Sequence, residues 1–319
     1  MLVLFYGMSE FKDLYKASFL ESKERQAQRR TKLLEEQRRK REDNFSDHRE
    51  IKSYKKRQHC EYDYKNNLML SEWMMEIPDD LENFLLVPCP KGIRCTLSND
   101  KSKNHSSKLY YKNGTEFLGI KTNLPKGTVL DCIYSKSNLF ILDVMKYEGR
   151  EFIECDTAFR SYWIKNKFIE DDLKIYEHNE QNLKLKLLQV LDFADSHIIQ
   201  NCFQTFPIFD DGIEMDGFLF YHKEAYYTFG ESPLVLWLFP FMIEDVLPMF
   251  KVHSIYNEQK PDSYTTYLDY IYDFNLKLKS KKRRSKSNSE KENMDVQDIE
   301  QEQDEMQKMI DLERFGDFE

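Results

Sequence analysis

The chain has 319 residues, of which 40% are hydrophobic and 14% aromatic, so one sizeable core can form beside very polar segments. The formal net charge of −9 excludes a protein that attracts polyanions with its whole surface. No stretch is long and apolar enough for a membrane-spanning helix, and the opening LVLFY is too short for the core of a signal peptide. We therefore expect no membrane partner.

The cysteines are scattered along the chain, without the CxxC pairs that are typical of zinc sites. They are Cys60, Cys89, Cys95, Cys132, Cys155 and Cys202, and the histidines form no ligand-spaced cluster with them. This pattern is typical of reduced thiols in a cytosolic or nuclear protein. We predict neither a metal site nor a cofactor.

A charge-dense segment without glycine or proline runs from about residue 9 to residue 57. Its centre, SKERQAQRRTKLLEEQRRKRED, consists of strong helix formers. Between residues 22 and 41 only Ala27, Leu33 and Leu34 are apolar, too few to bury a face against a core. The excess of Lys and Arg predicts a basic helix that an acidic partner stabilises. A solvated, disordered arm and an arm that binds RNA directly are the alternatives.

The character of the sequence changes at Asn67, where a folded domain is predicted to begin. LMLSEWMMEIP is interpreted as a short helix that Pro78 ends. Strands are predicted for FLLVPCP, GIRCTL, LYY, TVLDCIY, LFILDVMKYEG, EFIECD, FRSYWI, GFLFYHKEAYYTF and LVLWLF. Helices are predicted around Leu183–Leu191 and Ile243–Met249. The predicted fold class is α+β with mostly antiparallel sheets.

A basic run, KLKSKKRRSKS, follows this domain and leads into the acidic EKENMDVQDIEQEQDEMQ. Such a composition predicts disorder, with KKRRSK as a candidate nuclear localisation signal. The predicted organisation is therefore a basic helical segment (1–58), a linker (59–66), a globular domain (67–275) and a charged tail (276–319).

Several strings of the chain resemble the snurportin family, the import adaptors of spliceosomal small nuclear ribonucleoproteins. They are LMLSEWMMEIPDDL (68–81), VPCPKGIR (87–94), VLDCIY (129–134), LDVM (142–145), CDTAFRSYWI (155–164), MDGFLFYHK (215–223) and SPLVLWL (232–238). The basic string over 15–43 resembles that family's importin-β-binding segment. The resemblance extends from about Phe11 to Val246, with the strings in the family's order.

The resemblance implies a fold similar to the nucleotide-binding domain of mRNA guanylyltransferases. LFILDVM and DGFLFY would correspond to two motifs of that superfamily. In the enzymes the lysine of a Lys-x-Asp-Gly motif is the covalent nucleophile, whereas this chain has Lys91-Gly92-Ile93-Arg94. The missing Asp-Gly indicates a binding protein and not an enzyme.

The resemblance also implies a site for the 2,2,7-trimethylguanosine cap. Trp237 would stack on the cap base, Leu70, Ser71 and Trp73 would line the pocket, and Lys112 and Arg94 would contact the phosphates. The alternatives are ordinary packing for Leu70 and the tryptophans, helix capping for Ser71 and a solvated turn for Lys112. Ile93 replaces a lysine of the animal family members. The neighbouring Lys91 is a candidate substitute for it.

In the N-terminal segment, the resemblance assigns importin β contacts to the apolar Phe11 and to a series of cations. These are Arg25, Arg29, Arg30, Arg38, Arg39, Lys40 and Arg41. Leu2, Leu4 and Met8 are candidates for an epitope that binds an export receptor. The protein would then shuttle between the nucleus and the cytoplasm.

The predicted function is that of a nuclear import adaptor that binds capped small nuclear RNA, as a ribonucleoprotein, and links it to importin β. Two rivals remain at this level. One is a guanylyltransferase-like or decapping enzyme on the same fold. The other is a cap- or RNA-binding protein without an import role, for which binding would follow salt concentration and RNA length.

Overall fold

The computed structural model describes residues 25–42, 64–99, 106–176 and 183–277. Within these ranges, no helix has the length and apolar character required to cross a membrane. Phe11, the candidate export epitope, the predicted linker except for its last residues, and nearly all of the predicted tail lie outside the described residues.

Two β-sheets form the body of the protein. The five-stranded sheet has the order β1-β12-β11-β2-β10, and the seven-stranded sheet has the order β5-β4-β3-β6-β7-β8, with β9 paired to β7. The strands of the first sheet are β1 (Met69–Trp73), β2 (Phe84–Pro90), β10 (Leu191–Asp192), β11 (Met215–His222) and β12 (Gly230–Leu238). Those of the second are β3 (Ile93–Ser98), β4 (Ser106–Tyr110), β5 (Glu116–Lys121), β6 (Val129–Ser135), β7 (Asn138–Tyr147), β8 (Arg150–Glu151) and β9 (Lys184–Leu187).

Helices cover the outer faces of the sheets. Residues 25–42 form α1 and residues 267–277 form α6. Between them lie α2 (Thr157–Glu170), α3 (Ser196–Gln204), α4 (Ile243–Val246) and α5 (Ser254–Glu258), with 3₁₀ turns at Leu81–Asn83 and Pro240–Met242. Because the strand pairs are antiparallel except for β1 with β12 and β7 with β9, the predicted α+β class with mostly antiparallel sheets is confirmed.

The core has three large parts, separated by the two sheets, and a small fourth cluster joins Leu34 of α1 to Ala225 and Leu234. One cluster lies between the sheets and includes Val87 and Leu219 from the first and Ile133 and Phe140 from the second. Alternate residues of the first sheet pack under α3 to α6, and alternate residues of the second pack under α2. Sheets that are buried on both faces have nearly continuous apolar strands, as β2 and β7 do.

Five local predictions are wrong in whole or in part. Of EFIECD (151–156) only Glu151 lies in a strand, β8, and of GFLFYHKEAYYTF (217–229) only residues 217–222 lie in β11. Residues 69–73 form β1 and not a helix, because this segment pairs in parallel with β12. Residues 159–164 belong to α2 and not to a strand, because the Asp156 side chain accepts a hydrogen bond from the Phe159 amide and caps the helix. Residues 183–191 contain β9 and the start of β10, since β9 adds to the edge of β7. In the last three cases a tertiary or capping contact outweighs a weak local pattern.

Other local predictions are confirmed. The run FLLVPCP coincides with β2, and the runs from Thr128, Leu139 and Leu234 correspond to β6, β7 and the second half of β12. The polar turn before Asn138 closes the hairpin between β6 and β7. Of the three predicted helices in the domain, only the one beginning at Ile243 is present, as α4.

Candidate functional site

Trp237 lies near the end of β12, on a strand that is otherwise buried. Between residues 232 and 238 of β12, all side chains are buried except that of Trp237, which is partly exposed. It is paired with Leu219 of β11 on one side and with Trp73 of β1 on the other. Trp237 packs partly against the cluster between the two sheets. An indole that is held on one side by the fold and open on another is suited to stack on a flat ligand.

Gly217 on β11 provides the space in which the Trp237 indole lies. A methyl group at Gly217 would lie 2.7 Å from Trp237 Cη2 and 2.7 Å from the carbonyl oxygen of Leu238, and closer still to Cζ2. Real side-chain contacts do not approach so closely, so only glycine allows the ring to rest on the β11 backbone. Glycine inside a strand often marks such a close approach. Gly217 therefore fixes the position of the indole.

β1 carries the three other residues that were predicted to line the pocket. Leu70 and Ser71 are partly exposed on β1, opposite Glu231 and Ser232 of β12. Because Ser71 lies in a strand, the alternative of a helix cap does not apply to it. The parallel pairing of β1 with β12 brings this segment and Trp237 to the same edge of the first sheet.

Trp73 makes extensive aromatic contacts of its own. Its ring centroid lies 5.5 Å from that of Phe239 and 5.3 Å from that of Phe274 in α6. The amide of the next residue, Met74, donates to the carbonyl of Trp237 at 3.1 Å. These contacts give Trp73 a packing role that joins β1 to α6, and they position the backbone beside Trp237.

Lys112 lies in the turn between β4 and β5. Gly114, in the same turn, has a positive backbone φ. The carbonyl of Lys112 accepts a hydrogen bond of 2.8 Å from the amide of Asn66, and Tyr64 stacks on Tyr110 with centroids 4.2 Å apart. The chain then continues from Asn66 to Leu70, a span of roughly 14 Å at most. The turn and the first residues of β1 are thus tied together by one short segment.

Arg94 lies in the interior of the protein and not on its surface. It is buried between the sheets, and its Nε donates to Asp131 Oδ1 at 2.7 Å, while Nη2 donates to the carbonyl of Met69 at 3.0 Å. Burial disfavours the charged guanidinium, but the Asp131 carboxylate outweighs that cost and raises the pKa of Arg94 well above its usual value. Its placement argues against the predicted contact with cap phosphates. Lys91, the candidate substitute for the family lysine at position 93, lies between β2 and β3, and its Nζ lies 3.1 Å from Glu214 Oε2.

A second buried ion pair joins β7 to α2. Arg160 is fully buried, and its Nη2 lies 2.8 Å from Asp143 Oδ2. The same guanidinium donates from Nη1 to the carbonyl of Ala225 at 3.0 Å. The hydroxyl of Tyr227 is buried as well, and burial together with the Asp131 carboxylate raises its pKa well above the usual range. Several strings that carry the family resemblance therefore contain charges with an interior, structural role.

A family model described as Snurportin1, m3G cap-binding domain, matches residues 67–240, more than half of the chain. The chain belongs to the snurportin family. The matched range begins two residues before β1 and ends just after Trp237, so the snurportin cap-binding domain contains β1 and β12, the two strands that carry the candidate pocket.

Solved structures of DNA ligases are also similar to this snurportin chain, at low scores. The ligase domain of M. tuberculosis LigD has 11% identity and a TM-score of 0.37, with 56% of this chain and 60% of that domain covered. The Chlorella virus DNA ligase–adenylate has 12% identity and a TM-score of 0.34, with 53% and 67% covered. The chain thus spans less than two thirds of the LigD ligase domain. These scores are too low to support a conclusion about fold or activity.

All the cations that were predicted to bind importin β, from Arg25 to Arg41, lie in α1. Arg39 and Lys40 are exposed, whereas Arg30 is buried against the domain. Arg29, Arg38 and Arg41 form ion pairs with the domain. The expectation that this helix has too few apolar residues to pack on a core is wrong. Gln26, Arg30 and Gln37 bury their stems beside Leu34, since long polar side chains can cover apolar surface.

Sequence reasoning did not identify Gly217 as a residue of the site. The available signal was a glycine inside the otherwise apolar run GFLFY, which predicts a close backbone approach but not the residue that approaches. Within the described residues, no group of His, Cys, Asp and Glu side chains could hold a metal ion.

Proposed function

We propose that this snurportin-family protein binds the 2,2,7-trimethylguanosine cap of spliceosomal small nuclear RNAs and links the capped ribonucleoprotein to importin β. The observation that carries the proposal is the partly exposed Trp237 on a buried strand, inside the range that matches the m3G cap-binding domain. The export receptor and the shuttling between nucleus and cytoplasm belong to the same proposal.

The chemistry of the cap suits the residues at this edge of the first sheet. Methylation at N7 makes the guanine cationic, which strengthens its stacking on an indole by about 0.5–2 kcal/mol. Two methyl groups on N2 remove both hydrogens of that amine, so an apolar neighbour such as Leu70 is tolerated there. Ser71 offers a hydroxyl for a hydrogen bond, and Lys112 offers a cation for the phosphate bridge.

The cap site is tested by titrating the full chain with fluorescently labelled trimethyl- and monomethyl-guanosine cap dinucleotides. We expect tighter binding of the trimethyl cap than of the monomethyl cap, and clearly weaker binding of the trimethyl cap in Trp237→Ala. The matched control is Trp163→Ala, because Trp163 packs in α2 against Phe152, away from β12. Equal affinity for the two caps, or full binding in Trp237→Ala, would refute a cap reader built on this residue.

The import role is tested on the exposed side of α1. Arg39 and Lys40 are exposed, so Arg39→Glu with Lys40→Glu leaves the packed face of α1 intact. We expect weaker binding to importin β and unchanged affinity for the trimethyl cap, because charge pairs across an interface set steering and specificity. Importin β binding equal to that of the wild type would remove the support for the adaptor role.

The role that we propose is that of a carrier and not of an enzyme. In the string where the guanylyltransferases have their nucleophile, Lys91 pairs with Glu214 and Arg94 is buried with Asp131. Incubation with radiolabelled GTP and a divalent cation should give no covalent adduct. A labelled lysine adduct would favour the nucleotidyltransferase alternative.

A further inference from the structure

The helix α1 lies on the cap-binding domain with one continuous face. Its buried side chains are Gln26, Arg30, Leu34 and Gln37, at spacings of four, four and three residues. These spacings place all of them on one side of an α-helix. Leu34 packs with Ala225 and Leu234 of the domain in a small apolar cluster, and Leu33 packs against its edge. The contact is therefore an ordered packing of side chains and not a chance approach of charges.

The first turns of α1 are fastened to β1. Arg29 donates to Glu72 with both terminal nitrogens, Nη1 to Oε1 at 2.6 Å and Nη2 to Oε2 at 2.8 Å. Gln26 Nε2 donates to Glu72 Oε2 at 2.8 Å and to the carbonyl of Trp73 at 3.0 Å. A two-point guanidinium–carboxylate pair has a defined geometry, which a diffuse surface attraction lacks.

The last turns of α1 are fastened to the loop after β11. Glu224 accepts hydrogen bonds from Arg38 Nε at 2.9 Å and from Arg41 Nη2 at 2.9 Å. The hydrogen bond from Arg38 is the main cause that lowers the pKa of Glu224. Gln37 Oε1 accepts from the Tyr226 amide at 3.1 Å, and Arg41 lies over the Tyr226 ring. The anchors at Arg29 and Arg38 are about 13–14 Å apart along the helix, so both ends are held.

We propose that Glu72, Glu224 and Tyr226, here called the docking strip, hold α1 on the domain in the free protein, and that this docked state and the capture of α1 by an acidic receptor exclude each other. Three of the arginines that an acidic receptor would use are already paired with the strip. The buried face of α1 would also have to leave the domain before a receptor could surround the helix. The part of the proposal that concerns a receptor rests on the proposed function.

The consequence is a population effect on receptor binding. If α1 is docked for about 90% of the time, the apparent affinity of any receptor that needs the free helix is about tenfold weaker than the intrinsic affinity. Weakening the docking strip should therefore tighten receptor binding, although no residue that touches the receptor has changed. A helix that is already free would show no such gain.

The test uses the full chain with Glu224→Lys, which removes the partner of Arg38 and Arg41 at a partly exposed position. The matched control is Glu170→Lys, an identical charge change at the far end of α2, where Glu170 pairs with Lys167. Hydrogen exchange of the α1 amides is measured without any partner, and binding of importin β is measured separately. A third variant adds Arg38→Glu and Arg41→Glu to Glu224→Lys and restores opposite charges across the contact.

We expect Glu224→Lys to lose protection of the α1 amides and to bind importin β up to about tenfold more tightly, Glu170→Lys to behave like the wild type, and the charge-swapped variant to regain protection. Unchanged protection in Glu224→Lys would overturn the docked state. Lost protection with unchanged importin β affinity would overturn the mutual exclusion. If neither the wild type nor Glu224→Lys binds importin β, the proposed function is wrong, and the exchange result alone then supports or overturns the docked state.

Discussion

Substituting Gly217 by alanine should displace the Trp237 indole from its place on β11. The added methyl group would lie 2.7 Å from Trp237 Cη2 and 2.7 Å from the Leu238 carbonyl oxygen, well inside van der Waals contact. The carbonyl belongs to the β12 ladder and cannot move freely, so the ring must rotate or the two strands must separate. Overpacking of this kind costs about 1–3 kcal/mol of folding stability.

The loss of cap affinity can be bounded from the stacking energy. If the indole no longer presents its face to a cationic base, about 0.5–2 kcal/mol of stacking is lost, which corresponds to about 2- to 30-fold in the dissociation constant. Binding of a trimethyl cap should therefore weaken within that range. Thermal unfolding, measured in parallel, separates this loss from partial unfolding.

Fluorescence anisotropy of a labelled trimethyl cap is the assay, because it does not depend on tryptophan emission. Gly119→Ala is the matched control, since a methyl group there meets nothing within 4 Å. A double-mutant cycle with Trp237→Ala isolates the coupling between the two positions. If Gly217 acts through Trp237, the double variant should bind no more weakly than Trp237→Ala alone. Unchanged affinity in Gly217→Ala, or fully additive losses, would refute the reasoning.

The remaining predictions concern charge. Lys112→Ala should weaken binding of the cap dinucleotide, most strongly at low salt, and leave binding of the trimethylguanosine nucleoside unchanged, as salt-dependent titrations would reveal. Asp131→Ala should cost about 3–5 kcal/mol in urea unfolding, because it leaves the buried Arg94 guanidinium without its carboxylate. Burial lowers the pKa of His222 despite Asp80 at 3.1 Å, so the unfolded chain binds the proton more readily. Stability should therefore decline as pH falls below about 6.5, and His222→Gln should flatten that decline in thermal scans.

The long apolar strands were predictable because their pattern is strong and their burial leaves little choice. β2 is apolar throughout, β7 is apolar except for Asn138, Asp143 and Lys146, and the turn before Asn138 is polar, so local sequence and final structure agree. The weaker segments were not predictable in the same way. Residues 69–73 have a mixed composition, and only the pairing with β12 makes them a strand. The Asp156 cap that begins α2 was a readable signal, which the apolar and aromatic content of the following residues outweighed.

Parts of the candidate site were predictable from the sequence, and other parts were not. The position of Trp237 in an apolar run was evident from the sequence, but its partial exposure depends on the neighbouring strands and on the space above Gly217. Arg94 and Lys112 were equivalent candidates as cations in the sequence. The fold separates them, since Arg94 faces Asp131 in the interior and Lys112 lies in a turn near the start of β1.

By itself the sequence determined the apolar strands, the basic helix and the family, because each depends on residue types in a local order. Only the tertiary structure decided which charges are interior, what surrounds each tryptophan and where α1 lies. Those outcomes depend on residues that are distant in the chain, such as Arg38 with Glu224 and Gly217 with Trp237. A contact between distant residues has no local pattern, since it arises from the packing of whole elements and not from the propensity of any one of them.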